Sequence, residues 1–357
     1  MHVVHVVPAL FGRAGVFGGA ERYAYELAKT MAEKTRTTLV SFGARDDVFR
    51  DGALEVRVIG RPIKVRGQRE NPFSVRIVRW LASADVIHCH QRQIVTSTFC
   101  AVLGRLARRP VFVTALGGGG WDLSAYVRTD RLYRAHLHIS EYAEKIERHP
   151  SGTRTRVILG GVDTERFCPS ESVSREPAVL FVGRLLPHKG IDVLVRAVSS
   201  DTPTWLVGTE AVPRYREDLA RLARGKRVEF LSGLDDAAVV ERYRRASVLV
   251  LPSVYRNFYG EETLVPELLG QTLIEAMACG TPVIGSNVAS LPEIIEDGVT
   301  GFLVPPNDPT SLGERIEWLL SDPIRAQEMG RRARQRVLER FTWNAVVDRC
   351  LLAYGER

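Results

Sequence analysis

Cysteine is scarce, and its placement indicates neither a disulfide framework nor a metal knuckle. The five cysteines of the 357-residue chain are odd in number, and none stands in a CxxC pair. A reduced, cytoplasmic protein is therefore expected. No run of about 18 apolar residues occurs, which excludes a membrane-spanning helix. The opening residues, MHVVHVVPAL, lack a basic segment and a cleavage site, so they predict a first strand rather than a signal peptide.

Lysine is also scarce, and charge is unevenly distributed. Only six of the 49 basic residues are lysines. Residues 1–170 contain 26 Lys and Arg against 16 Asp and Glu, whereas residues 171–357 contain 23 against 26. A basic first half favours an anionic partner such as phosphate, nucleic acid or a membrane surface. The alternative is an arginine-rich composition without such a partner.

The chain is too long for one hydrophobic core, which rarely organises more than about 250–300 residues, so two domains are expected. Each half alternates short, wholly apolar runs with helical patterns. Such runs predict α/β domains with doubly wound parallel sheets covered by helices. Ligands of these sheets bind at the carboxyl ends of the strands, and a cleft between the domains is the expected site. The polar, proline-flanked segment 168–177 is the predicted linker.

Two glycine-bounded loops are candidates for binding phosphate. Residues 12–19 lie between the first strand and a helix, but their spacing matches neither GxGxxG nor the P-loop. They form either an anion cradle or a tight turn. In GRLLPHKG, Arg184 and Lys189 follow a strand and are predicted to fold over one diphosphate, Arg as a fork and Lys as a point charge. The alternative is an exposed basic loop.

Two glutamates and two histidines are further candidates for catalytic or metal-binding residues. Glu267 and Glu275 flank the start of a predicted helix near Thr272. Paired carboxylates can be glycosidase catalysts, although spacing along the chain does not give spacing in space. His88 and His90 share one strand face, but no nearby cysteine or carboxylate set completes a metal site, so no metal is expected.

A four-glycine stretch precedes Trp121 and Asp122. It allows close approach of the backbone to a ligand, with the aromatic ring and the acid holding a sugar. The alternative is a loop without a ligand.

A basic stretch surrounds a predicted helix over 72–82, with Asn71 as its N-cap and Pro72 in its first turn. Its cations are Arg57, Arg61, Lys64, Arg66, Arg69, Arg76 and Arg79, and the apolar positions of the predicted helix face are Phe73, Ile77, Trp80 and Leu81. A core-facing helix with solvated arginines is favoured. The alternative is peripheral contact with an anionic membrane.

Six stretches form a pattern that is more specific than any one motif. They are GGAERYAYELAKTMA, VILGGVDTERFCP, GRLLPHKGIDVL, VLPS, ELLGQTLIEAMACGTPVIGS and PEIIEDGVTGFLVPP. In order and spacing they resemble the retaining glycosyltransferases of family 4, also called group 1, which have the GT-B fold. The resemblance extends over nearly the whole chain. It implies an acceptor-binding Rossmann-like domain over 1–168, a nucleotide-sugar domain over 174–338, and a final helix, 339–357, that crosses back to the first domain.

The resemblance also implies roles for individual residues. Arg184 and Lys189 would hold the donor diphosphate, Glu267 would contact the sugar hydroxyls, and these three are the expected catalytic residues. Glu275 would contact the nucleotide ribose. The other donor-binding residues that it implies are Gly18, Gly19, Gly270, Gln271, Thr272 and Leu273. The family needs neither a metal nor a cofactor, because the nucleotide sugar is a substrate.

Two departures from the family pattern concern the acceptor side. Where the family often has a His after the strand at 111–115, this chain has Leu116, and the usual Asn-Gly-Val-Asp begins with Gly160. The polar group on the acceptor side is left open among His90, Glu21 and Asp122, beside a loop that begins at Gly117.

The expected activity is retaining, metal-independent transfer of a hexosyl group from a UDP- or GDP-sugar to a hydroxyl of a glycan, lipid or small molecule. A lipid acceptor would place the protein at the inner membrane face. The rival hypotheses are a phosphorylase or nucleotide-sugar epimerase on the same architecture, and a non-enzymatic anion-binding module. No helix-turn-helix and no aromatic RNA-binding strand pattern stands out, so no nucleic-acid partner is expected.

Overall fold

The computed structural model describes residues 1–10, 19–117 and 120–356. The chain forms two compact units. Unit 1 comprises Met1–Gly161 and Trp343–Arg357, and unit 2 comprises Val162–Thr342. Each unit is built from a parallel sheet and helices, as the apolar runs of the sequence predict.

The secondary structure alternates between strands and helices along the chain. The strands are β1 (His2–Leu10), β2 (Arg36–Gly43), β3 (Asp47–Asp51), β4 (Leu54–Gly60), β5 (Ile63–Lys64), β6 (Pro72–Phe73), β7 (Val86–His90), β8 (Val111–Thr114), β9 (Ala135–His138), β10 (Thr155–Val157), β11 (Glu176–Val182), β12 (Thr204–Val207), β13 (Val228–Leu231), β14 (Ala246–Leu251), β15 (Val283–Ser286) and β16 (Gly301–Val304). The α-helices are α1 (Gly19–Lys34), α2 (Val78–Leu81), α3 (Val95–Leu106), α4 (Glu141–Glu147), α5 (Ile191–Ala197), α6 (Pro213–Leu222), α7 (Asp236–Arg245), α8 (Gln271–Ala278), α9 (Leu291–Ile294), α10 (Pro309–Ser321), α11 (Pro323–Arg340) and α12 (Trp343–Gly355). Short 3₁₀ helices cover Val65–Gly67, Val75–Ile77, Leu123–Ala125, Asp130–Leu132 and Pro187–Lys189.

The sheet of unit 1 has eight strands in the order β10-β9-β8-β7-β1-β2-β4-β3. All neighbours are parallel except β3, which pairs antiparallel with β4. From β1 the chain moves outward in one direction through β2 and β4, and then returns to add β7 on the other side. The strand order therefore reverses between β1 and β7.

The sheet of unit 2 has six parallel strands in the order β13-β12-β11-β14-β15-β16. Numbered within the unit, this is 3-2-1-4-5-6, the order of a doubly wound nucleotide-binding fold. The order reverses between β11 and β14. The predicted fold class, two doubly wound parallel sheets, is confirmed.

Burial explains why the sequences of the strands are runs of apolar residues. All residues of β7, β12 and β15 are buried, because helices cover both faces of the sheets. Helix α1 buries a stripe at helical spacing that includes Tyr23, Leu27 and Met31. Each such side chain contributes about 1.5–3 kcal/mol when it is removed from water.

The predicted helix over 72–82 is wrong in its first half. Pro72 and Phe73 form β6, which pairs with β5, and the chain becomes helical only after Ser74, whose Oγ accepts a hydrogen bond from the amide of Arg76. Antiparallel pairing with β5, eight residues earlier in the chain, outweighs the local helix-start signal. The later apolar residues, Ile77 and Leu81, are buried in the core of unit 1, as the favoured core-facing interpretation requires.

Asn71 has a different capping role from the predicted one. It is buried, its Oδ1 accepts from the amide of Val95 at 3.0 Å, and its Nδ2 donates to the carbonyl of Trp121 at 2.7 Å. Asn71 therefore satisfies the first amide of α3 and ties that helix to the segment at Trp121.

The chain passes between the units at residues 161–162 and 342–343. The segment predicted as a linker, 168–177, lies within unit 2, where Arg244 Nε donates to the carbonyl of Cys168 at 2.7 Å and β11 begins at Glu176. Phe167, just before it, is buried against Tyr243. Residues 343–357 belong to unit 1, where Trp343 packs edge-on against Tyr23 at 5.2 Å.

The five cysteines are free, and four of them are buried. Across the residues that the structure describes, every helix is too short or too polar to cross a bilayer.

We expect Asn71→Ala to destabilise unit 1. The substitution leaves the buried amide of Val95 without its acceptor, which costs about 1–3 kcal/mol. Urea unfolding followed by circular dichroism measures the shift in midpoint. Gln68→Ala is the matched control, because it removes only the 3.2 Å contact from Asn71 Nδ2 to Gln68 Oε1. Equal midpoints for both variants would contradict the capping role of Asn71.

Candidate functional site

The site of unit 2 lies where its strand order reverses. In open α/β sheets, ligands bind outside the carboxyl ends of the strands at such a reversal. Three loops leave the sheet there. They run from 183 to 190 after β11, from 252 to 270 after β14, and from 287 to 290 after β15.

The first two loops are joined through their backbones. The amide of Val254 donates to the carbonyl of His188 at 2.9 Å. Gly190 begins α5 in the left-handed conformation, with φ at +65°, and a Cβ atom there would overlap the carbonyl oxygen of Pro252. Glycine is required at this position by both conformation and space.

The same two loops bring together two of the predicted catalytic residues. Lys189 Nζ forms an ion pair with Glu267 Oε1, and Ser253 Oγ donates to the same oxygen at 2.9 Å. Glu267 is only 8% exposed. A buried carboxylate needs a counter-charge and hydrogen bonds. Here Lys189 in the loop after β11 supplies the counter-charge, and Ser253 in the loop of Glu267 itself supplies a hydrogen bond. Ser286 Oγ in turn donates to the carbonyl of Ser253 and fixes that residue.

Helix α8 presents its amino terminus to the same edge of the sheet. Gly270 precedes it with φ at +76° and has no side chain to cap it. The amide of Leu273 donates to the carbonyl of Gly270 at 3.0 Å and closes the first turn of the helix. The positive end of the helix dipole therefore lies beside the Lys189–Glu267 pair.

Glu275, eight residues after Glu267, is held inside unit 2 by its own partners. Its Oε2 accepts from the hydroxyl of Tyr243 at 2.8 Å, and its Oε1 accepts from Gln271 Nε2 at 3.4 Å. It is 9% exposed and lies one turn from the start of α8. The two carboxylates are thus oriented independently.

Arg184 lies on the same loop as Lys189 but differs in its surroundings. Its side chain is exposed, and no hydrogen-bond or ionic partner is found for it among residues 1–10, 19–117 and 120–356. His188 contributes no cation, because burial and the neighbouring Lys189 lower its pKa. Arg184 and Lys189 are therefore the cations of the loop after β11, and Arg256, which is exposed, lies in the loop after β14.

Sequence reasoning did not identify Ser253, Ser286 or Tyr243 as site residues. Ser253 ends the VLPS stretch, whose position after an apolar strand was the available signal. Tyr243 carried no signal, because it lies on α7 and meets Glu275 only through tertiary packing.

In unit 1, the predicted residue His90 lies in a buried network. His5 Nδ1 and His90 Nε2 are 2.7 Å apart, and the two nitrogens of His88 bond Thr114 Oγ1 and the hydroxyl of Tyr354 at 2.7 Å each. Burial lowers the pKa of His5 to about 3 and those of His88 and His90 well below their usual value. The three rings are neutral and placed in the core rather than on an open surface.

The other acceptor-side candidates differ in exposure. Asp122 is 2% exposed and accepts from the hydroxyl of Thr98 and the amide of Ser124. Glu21 is half-buried in the first turn of α1, and Gly117 is exposed with φ at +80°. Leu116 packs partly against the core of unit 1.

The glycine-rich segment predicted to face the diphosphate falls mainly outside the described residues. Gly18 is among those not described. Gly19 is exposed at the start of α1, with open space around its Cα. The roles of these glycines, of the donor-site residues and of the acceptor-side residues stay predictions.

Comparisons with known proteins cover both units. The model of glycosyl transferases group 1 matches residues 163–336, and that of glycosyltransferase family 4 matches residues 17–166. The alpha-maltose-1-phosphate synthase of Mycolicibacterium smegmatis is 31% identical over 271 residues, which cover 66% of this chain and 67% of that protein.

Two solved structures show the likeness in fold. Sucrose-phosphate synthase from Thermosynechococcus elongatus has a TM-score of 0.76 at 23% identity, covering 99% of this chain and 98% of that chain. Anabaena Alr3699/HepE in complex with UDP-glucose has a TM-score of 0.69 at 20% identity, with 99% and 98% covered. The predicted GT-B fold class is confirmed.

We expect Gly190→Ala to disrupt the junction of the β11 and β14 loops. Gly225→Ala is the matched control, because Gly225 has a similar φ of +75° but open space around it. The control loses about 1–2 kcal/mol from the left-handed conformation alone. Gly190→Ala loses more, since its Cβ also displaces Pro252. Thermal unfolding of both variants checks this, and equal losses would contradict the close approach of the two loops.

Proposed function

Since the chain belongs to the group 1 glycosyl transferases and is a glycosyltransferase, we propose that it moves a hexosyl group from a nucleotide-diphospho-sugar to a hydroxyl acceptor. The donor is a UDP- or GDP-sugar, bound by unit 2. The acceptor is a glycan, a lipid or a small molecule, bound by unit 1. Transfer proceeds with retention and without a metal.

The observation that carries the proposal is the convergence of positive groups on one edge of unit 2. Arg184 is exposed and unengaged among the described residues, Lys189 shares its loop, and α8, which has no side-chain cap at Gly270, begins shortly after Glu267. A diphosphate is the ligand class that such a set fits: a forked cation, a point cation and a helix terminus.

The chemistry of transfer explains why these groups are needed. Breaking the bond between the sugar carbon and the diphosphate oxygen leaves both electrons on the diphosphate and makes the sugar resemble an oxocarbenium ion. Arg184, Lys189 and the α8 amides would stabilise the added negative charge without reorganisation. The acceptor oxygen attacks from the face that the diphosphate leaves, and its proton passes to a phosphate oxygen.

The two carboxylates of the site would orient the donor. Ser253 and Lys189 hold Glu267 rigidly, so its remaining lone pairs are directed for sugar hydroxyls. Tyr243 and Gln271 hold Glu275, which would accept from the nucleotide ribose. A donor diphosphate would compete with Glu267 for Lys189, so donor binding would loosen this ion pair.

The structural neighbour solved with UDP-glucose supports the nucleotide-sugar class of the donor. The similar enzyme from Mycolicibacterium is named for a sugar phosphate, alpha-maltose-1-phosphate. This name supports a small, polar acceptor. A panel of UDP-, GDP-, ADP- and TDP-sugars, followed by thermal stabilisation and by mass spectrometry of nucleotide release, tests the proposal. Stabilisation by none of them would contradict it.

We expect Arg184→Gln to lower the transfer rate about 100-fold, because it removes one preorganised cation from the developing charge. The unfolding midpoint should not change, since Arg184 is exposed. Arg224→Gln is the control. It removes another exposed arginine, which lies near the amino end of β13 and not at the carboxyl ends of the strands. Initial rates with the identified donor measure the difference. Wild-type rates in Arg184→Gln would remove the proposed diphosphate clamp.

A second property, peripheral membrane contact by unit 1, is favoured by exposed apolar side chains within its basic stretch. Ile63, Val75 and Val78 are 67%, 63% and 42% exposed, and Arg76 and Arg79 lie between and beside them. Arginines near an anionic surface contribute about 1 kcal/mol each, and the apolar side chains insert at the headgroup boundary.

Vesicle pelleting tests this contact. We expect binding to rise with the phosphatidylglycerol content of phosphatidylcholine vesicles and to fall several-fold in Val75→Asp. The control, Leu106→Asp, adds the same charge at a 77% exposed position on α3 and should leave binding unchanged. Binding that does not change with phosphatidylglycerol content would contradict contact of unit 1 with anionic membranes.

A further inference from the structure

Six of the eight histidines lie in unit 1 in two clusters, on opposite faces of its sheet. The register pairs His5 with His88, His88 with Phe112, and Phe112 with Ala135. Paired residues of parallel strands share a face, so His136 and His138, one and three residues after Ala135, point to the other face. The cluster on that face has no part in the proposed transfer reaction.

This second cluster contains carboxylates, which the first one lacks. His136 and His138 come from β9, Glu147 ends α4, and His149 follows it in the turn before β10. Arg148 adopts the left-handed conformation, with φ at +45°, and turns the chain so that the residues on either side of it approach each other.

Three ligand-type atoms converge on one point. His149 Nε2 lies 3.1 Å from His138 Nε2 and 3.3 Å from Glu147 Oε2. Zinc bonds of 2.0–2.2 Å to nitrogen and oxygen in a tetrahedron place neighbouring ligand atoms about 3.3 Å apart. Both distances from His149 Nε2 therefore match the spacing of neighbouring zinc ligands, and the ligand atoms of the three residues lie within 4.8 Å of one another.

A second carboxylate orients the central histidine. Asp130 Oδ1 is 3.4 Å from His149 Nδ1, so a proton on Nδ1 leaves the lone pair of Nε2 directed at His138 and Glu147. Arg92 holds both carboxylates, at 2.7 Å from Asp130 and 3.1 Å from Glu147. A carboxylate behind a ligating histidine is the usual outer partner in zinc sites.

Hydrogen bonds engage both carboxylates and the Nε2 atoms of His138 and His149, but they leave one buried nitrogen of the proposed ligand set without a partner among the described residues. His138 Nδ1 is buried without a hydrogen-bond partner, and its side chain is 1% exposed.

We propose that unit 1 binds one Zn²⁺ ion through His138 Nε2, Glu147 Oε2 and His149 Nε2, with Asp130 as the outer partner of His149. A two-histidine, one-glutamate set leaves a fourth position for water or another ligand. The ion would tie the carboxyl end of β9 to the end of α4 and the turn that leads into β10.

The histidines on the other face of the sheet do not compete for this assignment. Both nitrogens of His88 are engaged by Thr114 and Tyr354, and no carboxylate accompanies the three rings. A divalent cation there would lack charge compensation, whereas Asp130 and Glu147 supply it in the second cluster.

Zinc titration of the full-length protein, stripped with EDTA, tests the proposal independently of any glycosyl transfer. We expect isothermal calorimetry to give one site per chain and a higher unfolding midpoint with zinc. Cobalt in place of zinc should show the intense visible absorption of a four-coordinate site. The absence of binding in the wild-type protein would overturn the proposal.

Variants identify the ligands. Affinity should fall about 10- to 100-fold in Asp130→Asn, the outer partner, and further in Glu147→Gln and His149→Gln. His136→Gln is the matched control, because it removes a buried histidine of the same strand face that lies outside the proposed set and belongs to a second candidate group, Asp130, His136 and His149. Glu147 is partly exposed, so Glu147→Gln reports on the site even if His149→Gln does not fold. Equal affinity in Glu147→Gln and wild type, or loss of zinc in His136→Gln alone, would overturn the assignment.

Discussion

The ion pair between Lys189 and Glu267 is the interaction on which the loops at the carboxyl ends of the unit 2 strands depend. A carboxylate that is 8% exposed is costly unless a cation and a hydrogen-bond donor accompany it. Lys189 comes from the loop after β11, and Ser253 comes from the loop after β14. Because both satisfy one oxygen, the strands on either side of the topological reversal are tied together. Gly190 against Pro252 permits the close approach that this pairing requires.

The same edge shows how one loop gives two cations different roles. Lys189 is engaged by Glu267 and is partly buried, whereas Arg184, five residues earlier, is exposed. A ligand that carries two phosphates meets a free guanidinium and an ammonium whose partner it can displace. The amino terminus of helix α8 lies at the same edge, and Gly270, which precedes it, has no side chain that could cap the helix. Binding and charge stabilisation would therefore share the groups that already hold the loops.

The two histidine clusters of unit 1 differ in the groups that surround them. His5, His88 and His90 lie against one another and against hydroxyl groups; burial lowers the pKa of all three, and the neighbouring histidines lower those of His88 and His90 further. His138 and His149 lie with two carboxylates and Arg92, so the same imidazoles there become a set of metal ligands. Which cluster a histidine joins follows from the face of β7 or β9 on which its position falls.

The sequence by itself determined the parallel strands and the division into two units, and it predicted the donor-site residues. The apolar run Thr204–Val207 matches its strand because burial on both faces is a local requirement on every residue of it. Only the tertiary structure decided that Lys189 meets Glu267 across 78 residues, and that Pro72 pairs with Lys64 and does not begin a helix. It also decided that Glu275 meets Tyr243 and His138 meets Glu147. These contacts join distant parts of the chain, and periodicity and capping preferences act only over one or two turns.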